Sequence, residues 1–174
     1  MVIGIDIDCV LNDLAALWSE WLNEDYGFSI KYDDLVHYDM RQNYPTLDEE
    51  QVYEPLNKEG FFDSLRPAPY SQTTLKFLNV YHRIYFVTKT QPWHLEEKRR
   101  WLEANYPFIP KNRLISTPDK DMIKLDMLID DDVRNLMRSD GCITVKYIQP
   151  WNKDWHHADY EVKNFEEVLE IFDF

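Results

Sequence analysis

Four short stretches of the chain hold residue types that could do chemistry together. The first is IDIDCVLND, an apolar run that ends on two aspartates, Asp6 and Asp8. The second is FVTKT, with Thr88, Lys89 and Thr90; the third is Lys120; the fourth is LIDDD, with Asp130, Asp131 and Asp132. Carboxylates gathered within a few ångströms cannot all stay ionised unaided, because each like charge raises its neighbours' pKa. A hard cation resolves the conflict, and Mg²⁺ favours one or two carboxylates together with water and a phosphate. Lysine and threonine at the same mouth add donors for phosphoryl oxygens. Such a set, if the fold assembles it, reads as phosphoryl transfer driven by positioning and electrostatics.

Assembly depends on the elements that carry these residues. Residues 2–7 are short, β-branched and apolar on both faces, as a central parallel strand should be. Leu11, Leu14, Ala15, Trp18, Trp21 and Leu22 recur at helical spacing and predict a helix over 11–25, ending near Gly27. Residues 28–66 change character, rich in Tyr, Asp, Asn and Glu with no buried strand, and read as an insertion on the main body. Within it, Thr46 and Glu49 suggest a capping box that opens a short helix to about Lys58. Beyond Pro67 and Pro69 the pattern predicts helices over 71–80 and 92–105, one from Val133, and one over 165–172. Strands are expected over 83–87, 113–115, 125–129 and 143–148.

Strands alternating with helices imply an α/β fold with an open, mostly parallel sheet flanked by helices. The core would be 1–27 with 67–174, and 28–66 a small helical cap inserted after the first strand and helix. Ligands of such sheets sit outside the carboxyl ends of the strands, next to the topological switch point. The residues after the strands at 2–7, 83–87 and 125–129 should therefore converge, and these are three of the four stretches above; Lys120 lies just upstream of the strand at 125–129.

Composition narrows the function classes. With 174 residues, 44% hydrophobic and 15% aromatic, the chain can fill the core of one compact domain. A net charge of −13 argues against a nucleic-acid polymer as partner, since that surface needs basic stripes. It leaves room for a small anionic substrate if a metal and a few lysines reverse the local field. Two cysteines, Cys9 and Cys142, without C-x-x-C spacing or a signal peptide, fit a cytoplasmic setting. No apolar run approaches the ~20 residues that span a bilayer, so no membrane partner is expected; a homodimer is left open.

The stretches, in this order, resemble the four motifs of the haloacid dehalogenase (HAD) superfamily of phosphatases. More narrowly, D-x-D-x-V-L-x-D followed by an insertion, F-x-x-T, and D-K-x(4)-L-D-x-L-I-D-D are similar to the 5'(3')-deoxyribonucleotidases. YIQPWN is similar to a P-[WY]-N segment of bacterial and phage members. The resemblance implies a HAD-like fold and Mg²⁺-dependent hydrolysis of deoxyribonucleoside monophosphates. It implies Asp6 as nucleophile and Asp8 as the acid that protonates the leaving oxygen and then activates water. It places the metal on Asp6, the backbone carbonyl of Asp8, Asp130 and, most directly, Asp131. Thr88, Lys120 and, less directly, Lys98 would meet the phosphoryl group, with Lys89 a further candidate cation. In the insertion, Tyr38 and Phe61 are the expected contacts to the base. The chain departs from its relatives at Cys9 (usually glycine), Lys89 (usually serine) and Asp132 (basic in some).

Plainer readings compete. Asp132 suits a helix N-cap, Lys124 a solvated surface, and Cys9 a packed thiol. His156 and His157 are adjacent, so they point apart and make a poor metal site. Most insertion aromatics would form that segment's own core. Two rival functions remain: a HAD phosphatase for another small phosphomonoester, or a non-catalytic protein that binds a nucleotide or partner. The intact Asp6/Asp8 pair weighs against the second, since a pure binder has no need of a second acid.

Overall fold

The structure, a computed structural model, describes residues 1–172. Six strands form one sheet in the order β3-β2-β1-β4-β5-β6, with every neighbouring pair parallel. They are β1 (Val2–Ile5), β2 (Arg83–Thr88), β3 (Leu114–Ser116), β4 (Met127–Asp130), β5 (Ile143–Tyr147) and β6 (Tyr160–Val162). β1 lies between β2 and β4, with Ile5 level with Phe86 on one side and Ile129 on the other. The chain builds outward from β1 to β3, then returns to start β4 on the opposite side. The switch point is thus the crevice between β1 and β4. Asp6 and Asp130 stand at its rim, and the Asp6 N–H extends the pairing by donating to the Ile129 carbonyl at 2.9 Å.

Among the described residues seven α-helices complete the fold: α1 (Leu14–Tyr26), α2 (Met40–Asn43), α3 (Glu49–Tyr53), α4 (Ser71–Tyr81), α5 (Leu95–Asn105), α6 (Val133–Arg138) and α7 (Phe165–Glu170). Alternation along the strands splits the packing. Ile3, Ile5, Met127, Ile129 and Val145 meet Leu17 of α1, Leu75 and Leu78 of α4, Trp101 and Leu102 of α5, and Val168 of α7. On the other face Leu128 packs with Leu125 and Leu136 of α6. Among the described residues no helix is long and apolar enough to cross a membrane.

Several boundaries differ from the sequence expectation for local reasons. The first helix starts at Leu14 because the backbone before it is committed elsewhere: the Leu11 carbonyl accepts from Ala68, and Asn12 bridges to Pro67. It stops at Gly27, whose φ of 72° is left-handed and whose N–H returns to the Asn23 carbonyl. The capping box exists two residues later than expected, on Asp48 and Gln51, and the helix runs only to Tyr53 before a 3-10 turn. The last helix ends at Glu170. β6, three residues at the sheet edge, had no sequence signal long enough to find.

Between α1 and α4 the chain forms α2, α3 and three 3-10 turns, and no strand. Leu35, Met40, Tyr44 and Val52 bury against Ala15 and Leu22 of α1, with Phe28, Tyr32, Tyr53 and Cys9 around them. Tyr44 is fully buried, edge-on to Phe28, with its hydroxyl paired to Ser19 at 2.7 Å. Phe61, Phe62 and Leu65 instead join the main core.

Candidate active site

The carboxyl ends of β1, β2 and β4 bring the four sequence stretches together. Asp6, Asp130 and Asp131 are buried, and each offers one carboxylate oxygen within 4.8 Å of the others. Buried Lys120, carried on a 3-10 turn before β4, donates to Asp6 Oδ1 at 2.5 Å and Asp130 Oδ2 at 2.7 Å. Beside it, Lys98 of α5 is also buried, pairs with Asp8 Oδ2, and donates to Thr88 Oγ1 at 3.3 Å. Asp8 is half-buried and stands outside the three-carboxylate group, its other oxygen facing the Asn12 amide at 3.4 Å.

The donors separate the acids by duty. Asp130 accepts from Lys120, from Asn135 Nδ2 at 3.0 Å and from the Asp132 N–H at 2.8 Å. Its lone pairs are largely committed. Asp131 accepts one side-chain donor, Trp151 Nε1 at 3.0 Å on Oδ2, while its carbonyl is held by Asn152 at 2.8 Å. Asp6 accepts Lys120 on Oδ1 only, among the described residues. Asp6 and Asp131 therefore keep the open oxygens.

Burial pushes the Asp6 carboxyl up to about 7, against the pull of Lys120 and with help from Asp130 and Asp8. Burial likewise raises Asp131 well above the carboxylate range, reinforced by Asp130 and Asp6, and raises Asp130. Burial alone would lower Lys120, but Asp6 and Asp130 outweigh it and hold it protonated. One ammonium among three buried carboxylates leaves an uncompensated negative site of hard oxygen donors, which fits a divalent cation. When bound, such an ion would supply charge neutralisation and Lewis acidity toward a phosphoryl oxygen.

Other expectations land differently. Lys89 is exposed and pairs with none of these carboxylates, so the buried lysine that joins Lys120 at this site is Lys98. Asp132 caps α6, accepting from the Arg134 N–H at 3.0 Å, and forms a bidentate pair with the Arg134 guanidinium. A basic group thus stands at this rim two residues after the position that is basic in some relatives. Lys124 is exposed, and His156 pairs with Glu161 at 2.9 Å. Cys9 has φ 61°, the left-handed region where glycine is at ease. Burial, then Asp131 and Asp8, push its thiol well above the usual range, as for an inert packed cysteine.

The two expected base contacts part company. Tyr38 is 54% exposed, with the Arg134 guanidinium 4.7 Å over its ring and Trp151 edge-on at 6.4 Å. Phe61 is 0% exposed, wedged edge-on against Trp21 at 5.3 Å and Phe62 at 5.5 Å, and cannot meet a ligand. That expectation is corrected: sequence position alone could not tell a rim aromatic from a core one. Phe61→Ala should lower unfolding free energy by about 3–5 kcal/mol in a denaturant titration. The milder Phe61→Leu should leave KM for any substrate unchanged.

The residues that sequence reasoning missed are the amides and the indole that orient the acids: Asn12, Asn135, Gln149, Trp151 and Asn152. Asn12 lies inside the first motif, and YIQPWN carried the loop after β5 without showing its contacts. Nothing in the sequence marked Asn135.

The family model described as "5' nucleotidase, deoxy (Pyrimidine), cytosolic type C protein" matches residues 1–172. The 5'(3')-deoxyribonucleotidase of Bacillus subtilis is 31% identical over 169 residues, covering 96% of this chain and 95% of its own. The fold is similar to that of a haloacid dehalogenase-like hydrolase from Streptococcus pneumoniae, with TM-score 0.70, 14% identity, and coverage of 99% and 98% of the two chains. It is also similar to a magnesium-bound HAD hydrolase of Bacillus subtilis, with TM-score 0.63, 14% identity, and coverage of 98% and 97%.

Proposed function

Because the chain belongs to the 5'(3')-deoxyribonucleotidase family of HAD-superfamily phosphoric monoester hydrolases, we propose that it hydrolyses deoxyribonucleoside monophosphates with Mg²⁺, through a phosphoaspartate on Asp6. The observation that carries this reading is the pair of open carboxylate oxygens on Asp6 and Asp131 beside Lys120, at the switch point of the sheet. Asp131 would hold the metal with the Asp8 carbonyl and the Lys120-bound oxygen of Asp6, leaving the other Asp6 oxygen for phosphorus, and Asp130 would act mainly by anchoring Lys120. Thr88 and Lys98, paired at 3.3 Å beside Asp8, would donate to phosphoryl oxygens.

The chemistry proceeds in two displacements. The free Asp6 oxygen attacks phosphorus, and the bond from phosphorus to the ester oxygen breaks. Asp8 gives its proton to the departing ester oxygen, leaving an alcohol. The Asp8 carboxylate then takes a proton from water, whose oxygen attacks phosphorus, and the bond from phosphorus to the Asp6 oxygen breaks, releasing inorganic phosphate and returning Asp6 as a carboxylate. Lys120 stays against Asp6 throughout, offsetting charge near the phosphoryl group. Tyr38, with Trp151 behind it and Arg134 over it, offers an aromatic rim for the base.

A second reading keeps the mechanism but replaces the nucleotide with another small phosphomonoester. It is favoured by the burial of Phe61, which leaves Tyr38 the one exposed ring of the expected pair. Phosphate release from dUMP, dTMP, UMP and sugar phosphates, with and without Mg²⁺, separates them. The expected result is Mg²⁺-dependent turnover with the deoxynucleotides at least about tenfold ahead in kcat/KM, a 1.4 kcal/mol preference. Turnover of sugar phosphates alone would favour the second reading.

A further inference from the structure

Gln149 lies in the loop after β5, outside the carboxylate group, and its buried side chain is engaged at both ends. Its amide nitrogen donates to the carbonyl of Cys9, and its amide oxygen accepts from the hydroxyl of Tyr32. A carbonyl can only accept, so the nitrogen must face Cys9, and a hydroxyl donor on Oε1 fixes that orientation. Tyr32 belongs to the segment between α1 and α4, whereas Cys9 directly follows Asp8. One side chain therefore ties that segment to the turn that carries the proposed acid.

The turn needs such support. Cys9 sits at φ 61°, a region that disfavours any residue with a Cβ and persists only where neighbours hold it. Two contacts hold its backbone: the Cys9 N–H donates to Asn12 Oδ1 at 3.1 Å, and Gln149 takes the carbonyl. The same Asn12 turns its amide nitrogen to Asp8 Oδ1 at 3.4 Å. Asn12 thus braces the turn and the carboxylate from one side, and Gln149 braces the turn from the other. The Gln149 backbone is itself pinned, its N–H donating to Asn152 Oδ1 at 2.8 Å, while Asn152 also holds the Asp131 carbonyl.

We propose that Gln149 is a positioning residue for proton transfer by Asp8: it holds the left-handed turn at Cys9, and Tyr32 holds Gln149. This rests on the assignment of Asp8 as proton donor made above. A well-aimed acid matters when the leaving group is an alkoxide, which cannot depart unprotonated, and matters little when it is a stable phenolate. Two substrates without a base isolate the effect from base recognition: deoxyribose 5-phosphate, with an alkoxide leaving group, and p-nitrophenyl phosphate, with a phenolate one.

The experiment compares kcat/KM on both substrates for the wild type, Asp8→Asn, Gln149→Met and Tyr32→Phe. Asp8→Asn should lose at least about 100-fold on deoxyribose 5-phosphate and far less on the aryl ester. Gln149→Met should follow the same pattern with a loss of about tenfold on the alkyl ester and under about twofold on the aryl ester. Tyr32→Phe, which leaves Gln149 in place but free to rotate, should show the same selectivity at smaller amplitude. Equal losses on both substrates, or none, for Gln149→Met and Tyr32→Phe beside a selective Asp8→Asn would overturn the proposal. A non-selective Asp8→Asn would instead overturn the acid assignment, and the proposal with it.

Discussion

Asp6→Asn should reduce phosphate release by at least about 10⁴-fold while the protein stays folded. The amide keeps the shape of the carboxylate and can still meet Lys120 at Oδ1, the contact that Asp6 makes at 2.5 Å. What it loses is the free anionic oxygen, because the amide nitrogen's lone pair is delocalised into its carbonyl and cannot attack phosphorus. Lys120 retains Asp130 at 2.7 Å, so no buried ammonium is left alone. The measurement is phosphate release under saturating deoxynucleotide and Mg²⁺, with circular dichroism to confirm folding. A turnover close to wild type would remove Asp6 from the nucleophile's role. It would also revive the view of this chain as a binder that keeps the fold without the reaction.

The second large effect concerns stability without substrate. Asp6 is pushed up to about 7 by burial, and Asp130 and Asp131 are raised as well. Unfolded carboxyls titrate near pH ~3.9. Between that value and about 7 the metal-free folded protein holds protons that the unfolded chain has released. The Asp6 contribution is therefore fully present below pH ~4 and is lost as pH rises through about 7, and the raised Asp130 and Asp131 act in the same direction. The metal-free protein should melt at a lower temperature at pH 8 than at pH 5. Mg²⁺ should compensate the charge and raise the melting temperature by about 5–10 °C at a hundred times its Kd, with the larger shift at pH 8. Asp131→Asn should raise the metal-free melting temperature at pH 8 and erase most of the Mg²⁺ response. Since the net charge of −13 also disfavours folding at high pH, the variant isolates the local contribution. A Mg²⁺ shift that survives Asp131→Asn undiminished would move the metal away from this carboxylate.

The loop after β5 gives these predictions a common physical basis. Trp151 orients the proposed metal ligand Asp131, Asn152 holds the backbone of the same residue, and Gln149 reaches the turn beyond Asp8. Each donor is neutral, so it orients an acid without cancelling the negative field that a cation would satisfy. The charged partners, Lys98 and Lys120, come instead from α5 and from the 3-10 turn before β4. Their division between Asp8 and Asp6 keeps the proposed acid and the proposed nucleophile on separate ammonium groups.

Much of the site was legible because its signals are local. An apolar run that stops on an acid is both a buried strand and its carboxyl end, so Asp6 and Asp130 announced their own positions. The alternation of strands and helices implied a parallel sheet, and a parallel sheet implies where its strand ends meet. Lys120 was found through its ten-residue spacing to Asp130, a distance the connection before β4 makes meaningful.

The tertiary structure decided what depends on partners far away in sequence. Phe61 and Tyr38 belong to one aromatic-rich segment, yet Trp21 and Phe62 bury the first and Arg134 meets the second at the rim. Burial is a property of the whole packing, so residue type could not separate them. Gln149 reaches Cys9 across 140 positions and Tyr32 across 117, and polar side chains acquire such partners only when the fold is complete. By itself the sequence determined which acids stand at the strand ends, because backbone pattern and burial are encoded in neighbouring residues. Which side chains aim those acids was decided only by the closed sheet, where hydrogen bonds join loops that share no local code.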